Sequence, residues 1–337
     1  MLFGRGSEWG YAAQRLGFAL HQRTDSLTFC DDFASMKEDL GPRAVAAEID
    51  QWMYGVHRGH EVLARIRRVH HSKGGDTFWT HVMTGIDPPL FLGLDVSTID
   101  AFSSLFMPAD IPTGELLFDK AFIVRGFEPH RTRAFLARSA PLGLDLLDHL
   151  LSLSKRDLSV SLSDNVIDIS TQGVFADPIA ITSWLDSATW IAEELTRRRQ
   201  RLPPSPAEAA QIASWHAFAA EQGFAFDPAR LTLTGRHKDL SFRAKVVVEN
   251  SKVATRIKLD FPTPLGLRLS IFKEASTSSI AKFWGSMQDI RTGDPAFDGV
   301  FVVQGHPVEI VQRLLAPPEV RGRLLAIFSR VTNVFLS

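Results

Sequence analysis

Five histidines fall between positions 57 and 81 of the chain: His57, His60, His70, His71 and His81. Neutral imidazole nitrogens bind zinc and other divalent ions, and a bound metal can activate water for hydrolysis. A hairpin in this stretch would bring the first two histidines near the next two. The sequence therefore offers a candidate metal site formed by His57, His60, His70 and His81, which would support a metal-dependent hydrolase.

The spacing of these histidines matches no established zinc motif. Alternation along a strand would also send His70 and His71 to opposite faces of a sheet. In the second half of the chain only His237 corresponds to one of them, His57. We therefore favour the alternative that they are surface or edge histidines.

Two aspartates, Asp119 and Asp298, follow a Thr-Gly pair at the same spacing in two parts of the chain. Either could be a catalytic carboxylate, but no second carboxylate, histidine or serine recurs beside them. A short acceptor at this position is typical of a side chain that caps backbone N–H groups in a turn. We predict this structural role and assign no catalytic residue.

Four aromatic residues form a third candidate site: Phe102, Phe106, Phe283 and Trp284. They lie in equivalent stretches before the repeated motif, where they could line an apolar groove between two copies and hold a protein partner or an apolar ligand. The alternative is that each of these four aromatic residues closes the end of the hydrophobic core of its own repeat. We favour this alternative, because hydrophobic cores take up most aromatic side chains.

The elements that must position these residues follow from an internal repeat. The segment "TGDPAFDGVFVVQG" at 292 to 305 matches "TGELLFDKAFIVRG" at 113 to 126 at seven of fourteen positions. Upstream, 55 to 66 pairs with 235 to 246, and "WGYAAQRLGF" at 9 to 18 pairs with "WHAFAAEQGF" at 215 to 224. Such self-similarity indicates a tandem duplication.

The periodicity of apolar residues in each copy predicts a helix, then several antiparallel strands, and then helices followed by a last strand. We predict an α+β fold of two tandem divergent repeats, each an antiparallel sheet with helices on one face, related by a pseudo-twofold axis. The first repeat covers 1–174 with an insertion at about 26–51, a joining helix and Pro-rich linker cover 175–203, and the second repeat covers 204–337.

Local signals make three finer predictions. Asp177 before Pro178 begins the joining helix, and Ser205 with Glu208 forms a capping box at the start of the next helix. In "FDGVFVVQG" the residues from Phe297 to Gln304 are predicted to form one strand with Phe297 on its core face.

Composition excludes some classes of protein. The 337 residues carry a net charge of -1 and one cysteine, Cys30, so neither a disulfide scaffold nor a Cys-rich zinc module is expected. The first residues lack the apolar core of a signal peptide, and no run of eighteen apolar residues occurs. We expect a cytoplasmic protein without cofactor, nucleic-acid partner or membrane span.

The segment "TGDPAFDGVFVVQG", with the leucine-rich helix and last strand after it, resembles a pattern in bacterial proteins of unknown function. That resemblance implies no activity, cofactor or catalytic residue, and it favours a bacterial, noncatalytic protein. From the sequence we expect a binding or scaffold protein with a protein partner. The alternatives are the metal-dependent hydrolase and a carrier of an apolar ligand between the repeats.

Overall fold

The computed structural model describes residues 6–22, 48–70, 75–99, 110–138, 145–175, 177–238, 240–249, 252–260, 269–273, 290–328 and 334–335. These residues form helices and antiparallel sheets, which confirms the α+β class. The described helices are α1 (Gly6–Leu16), α2 (Leu116–Ala121), α3 (Pro129–Leu136), α4 (Leu146–Ser154), α5 (Pro178–Arg201), α6 (Pro206–Gln222), α7 (Pro295–Asp298), α8 (Val308–Leu315) and α9 (Pro318–Phe328).

The strands form three separate sheets. The first has the order β1-β2-β3-β4-β8-β7-β5-β6, the second β12-β11-β10-β9, and the third β14-β13-β15. The strands are β1 (Ala19–Gln22), β2 (Glu48–His57), β3 (His60–His70), β4 (Asp76–Gly85), β5 (Asp95–Thr98), β6 (Phe122–Arg125), β7 (Ser159–Ser163), β8 (Val166–Gln172), β9 (Ala225–Asp227), β10 (Thr232–His237), β11 (Leu240–Glu249), β12 (Lys252–Asp260), β13 (Ser270–Lys273), β14 (Phe301–Gln304) and β15 (Val334–Phe335).

Contacts within the chain group it into two compact units. One contains residues 1–236 and 242–258, and the other contains residues 237–241 and 259–337. Repeat boundaries and compact units need not coincide, so the division at 174 and 203 stays a prediction, as does the pseudo-twofold relation. None of the described helices combines the length and apolar character that a bilayer crossing requires.

Strand β8 is one of the two central strands of the eight-stranded sheet, and it pairs antiparallel with β4 on one side and with β7 on the other. Val82 of β4 lies opposite Ile169, and Ile169 lies opposite Val160 of β7. All three side chains are buried. Strand β8 therefore joins β1 to β4 and β5 to β7 into one continuous sheet.

The long helix α5 covers one face of this sheet. It begins where the sequence predicts: Asp177 accepts hydrogen bonds from the N–H groups of Ile179 and Ala180, and Pro178 occupies the first turn. Ile181 and Leu185 pack in one core with Val82 and α1. Farther along, apolar residues of the same helix pack in a second core with β5 to β8 and α4, and these are Ala188, Ile191, Ala192 and Leu195.

The C-terminal turn of α5 is held by a buried arginine, Arg198. Its guanidinium donates to Glu194 Oε1 at 2.9 Å, to the Ala137 carbonyl at 2.8 Å and to the Asp145 carboxylate at 3.3 Å. Asp145 is also the N-cap of α4, where it accepts from the Leu147 N–H. The cation thus ties the last turn of α5 to the first turn of α4.

We expect Arg198→Ala to lower the free energy of unfolding by about 3–5 kcal/mol, because the buried carboxylates of Glu194 and Asp145 would lose the buried cation that lies between them. The matched control is Arg197→Ala, whose side chain is 51% exposed and should cost no more than about 1 kcal/mol. Urea titration followed by tryptophan fluorescence measures both. An equal decrease in the free energy of unfolding in the two variants would contradict the importance of the buried ion pairs of Arg198.

Between β7 and β8, Asp164 orders the segment that follows β4. Its carboxylate accepts from the backbone N–H groups of Leu92 at 3.0 Å, Gly93 at 2.8 Å and Leu94 at 3.1 Å. Gly93 has a φ of +63°, a conformation that glycine adopts at little cost. Burial raises the pKa of Asp164 to about 6, against the opposing effect of the three N–H bonds.

This pKa makes stability depend on pH in a defined direction. Between about pH 4 and pH 6 the folded protein keeps a proton on Asp164 that the unfolded chain has released, so the free energy of unfolding falls as pH rises, by about 2–3 kcal/mol. We expect Asp164→Asn to lack this decrease, since the amide does not ionise. Asp157→Asn, at an exposed aspartate nearby, is the control and should keep it. Urea titrations at several pH values give the slopes, and parallel slopes for Asp164→Asn and the parent protein would contradict this assignment.

The four-stranded sheet packs against α6 through a small core of Ala219, Leu233 and Ala244 with aromatic neighbours. The predicted capping box is confirmed: Ser205 accepts from the Glu208 N–H, and Glu208 accepts from the Ser205 N–H. Glu208 also accepts from Arg131 at 2.7 Å and from Arg199. The start of α6 is therefore anchored to α3 and α5 by two cations.

The three-stranded sheet has its own core with α7 to α9, formed by residues such as Ile271, Phe297, Val303 and Val311.

The prediction of one strand from Phe297 to Gln304 is wrong. Residues Pro295–Asp298 form the short helix α7 rather than the start of a strand, and β14 spans only Phe301–Gln304. Asp294 explains the difference, because its carboxylate accepts from the Ala296 and Phe297 N–H groups and starts a helical turn.

The two halves of the chain share the order of their elements. Helix α1 and strands β1 to β4 are matched by α6 and β9 to β12, with the same strand adjacency. Strand β5 lies between β6 and β7 just as β13 lies between β14 and β15. The second half shows no counterpart of β8 and α5 among the described residues. These observations support the duplication, which itself stays a prediction.

Candidate functional site

The strand β12 forms one edge of the four-stranded sheet. Its neighbour is β11, and no strand pairs with its other side among the residues that the structure describes. The corresponding strand of the first half, β4, is paired on both sides, by β3 and by β8. The equivalent strand edge is therefore paired in the first half, at β4, and unpaired in the described part of the second half, at β12. We call the unpaired side of β12 the open edge.

Apolar side chains of β12 lie in solvent. Val253 is 57% exposed and Ile257 is 62% exposed, whereas Val82 of β4 is fully buried beneath α5. On the neighbouring helix α6, Phe218 is 49% exposed. Soluble proteins rarely leave an apolar strand edge open, because it can pair with other chains. This edge is the strongest candidate for an interaction site in the described part of the chain.

The candidate histidines His57 and His60 lie at the hairpin between β2 and β3 and face α5. His57 Nε2 is 2.8 Å from Asp186 Oδ1, which also pairs with Arg58, and His60 Nε2 is 3.8 Å from Glu193. Each imidazole thus has its own carboxylate on the helix. The pairs hold the hairpin against the middle of α5.

His81 lies on the opposite face of the sheet, since it alternates along β4 with Val82, which packs against α5. Its Nδ1 atom is 3.0 Å from both oxygens of Asp168 on β8. The carboxylate can only accept, so Nδ1 carries the proton. His81 Nε2 is buried and has no hydrogen-bond partner among the described residues.

A buried cation stands beside this pair. Arg65 of β3 lies opposite His81 in the sheet register and is only 2% exposed. Burial lowers the pKa of the Arg65 guanidinium, and the charge of Asp168 opposes that shift. Strand β8 therefore brings a carboxylate to a sheet face that already carries a histidine and an arginine from β4 and β3.

The structure does not gather the four candidate metal ligands into one group. His57 and His60 face α5, His81 faces away from it, and the side chain of His70 lies outside the described set. Among the described residues no group of three or more His, Cys, Asp or Glu side chains is arranged to hold a metal ion. With His70 undescribed, the metal site stays a prediction.

The two aspartates of the repeated motif have the predicted structural role. Asp119 accepts from the Thr113 N–H, the Thr113 hydroxyl and the Gly114 N–H at 2.6–3.1 Å. Asp298 makes the same bonds to Thr292 and Gly293. Both carboxylates are therefore engaged in closing their own turn. The aromatic candidates Phe102, Phe106, Phe283 and Trp284 lie outside the described residues.

No protein-family model matches the chain, and no curated protein matches it either. Among solved structures, the mycobacterial trehalose monomycolate transport factor A is similar over 60% of this chain and 99% of its own, with 11% sequence identity and a TM-score of 0.34. A likeness of this size carries no argument about function.

The His81–Asp168 pair should stabilise the fold measurably. A double-mutant cycle with His81→Ala and Asp168→Ala is expected to give a coupling energy of about 1–3 kcal/mol, because the side chains are only 9% and 21% exposed. The matched cycle on His60 and Glu193, which are 3.8 Å apart and more exposed, should give less than about 0.5 kcal/mol. Similar coupling in both cycles, measured by urea titration, would contradict the structural importance of β8's carboxylate.

Proposed function

We propose that the protein is a noncatalytic binding protein that holds a protein partner by pairing an extended segment of it with the open edge of β12. The observation that carries the proposal is the difference between β4 and β12. In the first half, β8 and α5 close the equivalent place. The partner would supply the strand that the second half lacks among the described residues.

Strand addition has a clear physical basis at this edge. An edge strand presents backbone N–H and C=O groups that a second extended chain can satisfy, and alternate side chains of that chain then meet the sheet face. Val253 and Ile257 would gain apolar contacts that they lack in the described structure. Burial of one such side chain contributes about 1.5–3 kcal/mol, which adds to the backbone hydrogen bonds.

Strand β8 of the first half also indicates which kind of partner segment would fit the open edge of β12. Strand β8 places Ile167 and Ile169 on the face covered by α5 and places Asp168 and Ser170 on the other face. A partner strand would need the same alternation of apolar and polar residues. An apolar surface after that strand could cover Val253, Ile257 and the exposed ring of Phe218, as α5 covers β4.

The test uses the full chain and a fluorescein-labelled peptide of residues 164–175, which contains β8. We expect saturable binding by fluorescence anisotropy, together with slower amide hydrogen exchange in β12 (Lys252–Asp260) than in β9. Ile257→Asp should weaken binding at least about tenfold, because a charge replaces the apolar contact.

The matched control is Ile179→Asp, since Ile179 is 71% exposed and belongs to α5, which packs on the eight-stranded sheet. It should bind the peptide like the parent chain. Binding without protection of β12, or equal binding by both variants, would contradict strand addition at this edge. The localisation in the cytoplasm and the alternatives of a hydrolase or an apolar-ligand carrier stay predictions from the sequence.

A further inference from the structure

Strand β12 itself has the pattern that the proposed partner strand needs. Side chains alternate along a strand, so Val253, Ile257 and Leu259 share one face of the sheet, and these side chains are 57%, 62% and 49% exposed. Ala254 and Arg256 lie on the other face. A second copy of the chain could therefore offer its own β12 as the strand that completes the open edge.

Helix α6 leaves the apolar face of β12 uncovered. The core beneath α6 joins Ala219 of the helix to Leu233 of β10 and Ala244 of β11, and among the described residues it includes none from β12. Two residues separate the end of β11 from the start of β12, and a hairpin of that length sets Ile257 opposite Ala244. The exposed apolar side chains therefore lie on the α6 side of the sheet without being covered by the helix.

Two copies of β12 can pair across a twofold axis perpendicular to the sheet. Such an axis makes the two strands antiparallel and keeps each face of the sheet on its own side, so the apolar faces of both copies coincide. The register centred on Arg256 pairs all nine residues of the strand. It sets each Val253 opposite a Leu259 and each Thr255 opposite an Ile257. The apolar face of the edge is thus self-complementary.

The order of charged residues along β12 favours the same register. The strand begins at Lys252 and ends at Asp260, so a twofold pair sets the first residue of each copy opposite the last residue of the other. Opposite charges directly across two strands attract, whereas like charges repel. The one like pair of this register is Arg256 with its own copy on the axis, and Arg256 already has an interaction within its chain. A shift of the register by two residues would set Lys258 opposite Lys252 in one direction and opposite Arg256 in the other.

The length of the edge determines how tightly two copies would bind. A standard protein interface takes about 20–30 residues from each partner. Strand β12 supplies nine residues, with their backbone hydrogen bonds and three exposed apolar side chains per copy. The expected dimer is therefore smaller than a permanent one and reversible, with a Kd of roughly 1–100 µM.

We propose that the partner at the open edge is a second copy of this chain, which pairs its own β12 antiparallel across a twofold axis. The inference rests on the proposed function and names the partner for the same site. Two four-stranded sheets would then join into one sheet of eight strands, as many as β8 brings together in the first half. A strand of the same chain closes the edge at β4, and a strand of another molecule closes the edge at β12.

Sedimentation velocity of the full chain measures the self-association. The chain should change from monomer to dimer as its concentration rises from about 1 µM to about 300 µM. Amide hydrogen exchange in β12 should become slower over the same range, because the strand gains backbone hydrogen bonds. The peptide of residues 164–175 should compete for the same edge, so saturating peptide should return the chain to the monomer.

Charge reversal tests the pairing of the strand ends. Lys252→Asp and Asp260→Lys each set like charges across the pair, so each variant alone should self-associate at least about tenfold more weakly. A mixture of the two variants restores opposite charges between the copies and should form a dimer as tightly as the parent chain. The matched control is Arg313→Glu with Glu319→Lys, at exposed positions of α8 and α9, which should leave the parent dimer unchanged both alone and mixed.

A disulfide tests the register. Arg256→Cys, in a chain whose one cysteine is removed by Cys30→Ser, places two cysteines opposite each other on the axis. Residues directly opposite in antiparallel strands are close enough for a disulfide, so mild oxidation should give a covalent dimer. The control is Ala225→Cys, at an exposed position of β9 on the other edge of the same sheet, and it should stay monomeric.

The outcomes separate this inference from the proposed function. If the chain stays monomeric while the peptide of residues 164–175 binds and protects β12, strand addition stands and the second copy is overturned as the partner. A dimer that saturating peptide does not dissociate, or that is linked through Ala225→Cys rather than Arg256→Cys, uses another surface and also overturns the inference. If the chain is monomeric and the peptide does not bind, the proposed function fails as well.

Discussion

Backbone hydrogen bonding between β8 and its two neighbours is the interaction on which the first half depends. Strands β1 to β4 and strands β5 to β7 belong to different stretches of the chain. Strand β8 pairs with β4 of the first group and with β7 of the second. Because the sheet is then continuous, one helix can cover the join between its parts. In the second half the described strands form two separate sheets, and none of them joins the two. The open edge at β12 is thus the direct counterpart of the closed one at β4.

Much of the fold could be predicted because its signals are local. The N-cap at Asp177, the capping box at Ser205 and Glu208, and the closed turns at Asp119 and Asp298 each depend on residues within a few positions. Strand β8 gave no match in the internal sequence comparison that revealed the other strands, and the described residues of the second half show no counterpart of it. The short helix α7 replaced a predicted strand because capping by Asp294 outweighed the apolar alternation.

The candidate site was harder to predict, since its defining property is a missing neighbour. Exposure of Val253 and Ile257 depends on whether another strand pairs with β12, and no local pattern specifies that. The histidine contacts are likewise nonlocal, because His57 bonds to Asp186 and His81 bonds to Asp168 far along the chain.

Trp184 of α5 packs against both cores of the eight-stranded sheet. A side chain shared in this way makes it hard for one core to open while the other stays closed, so the two should melt as a single cooperative unit.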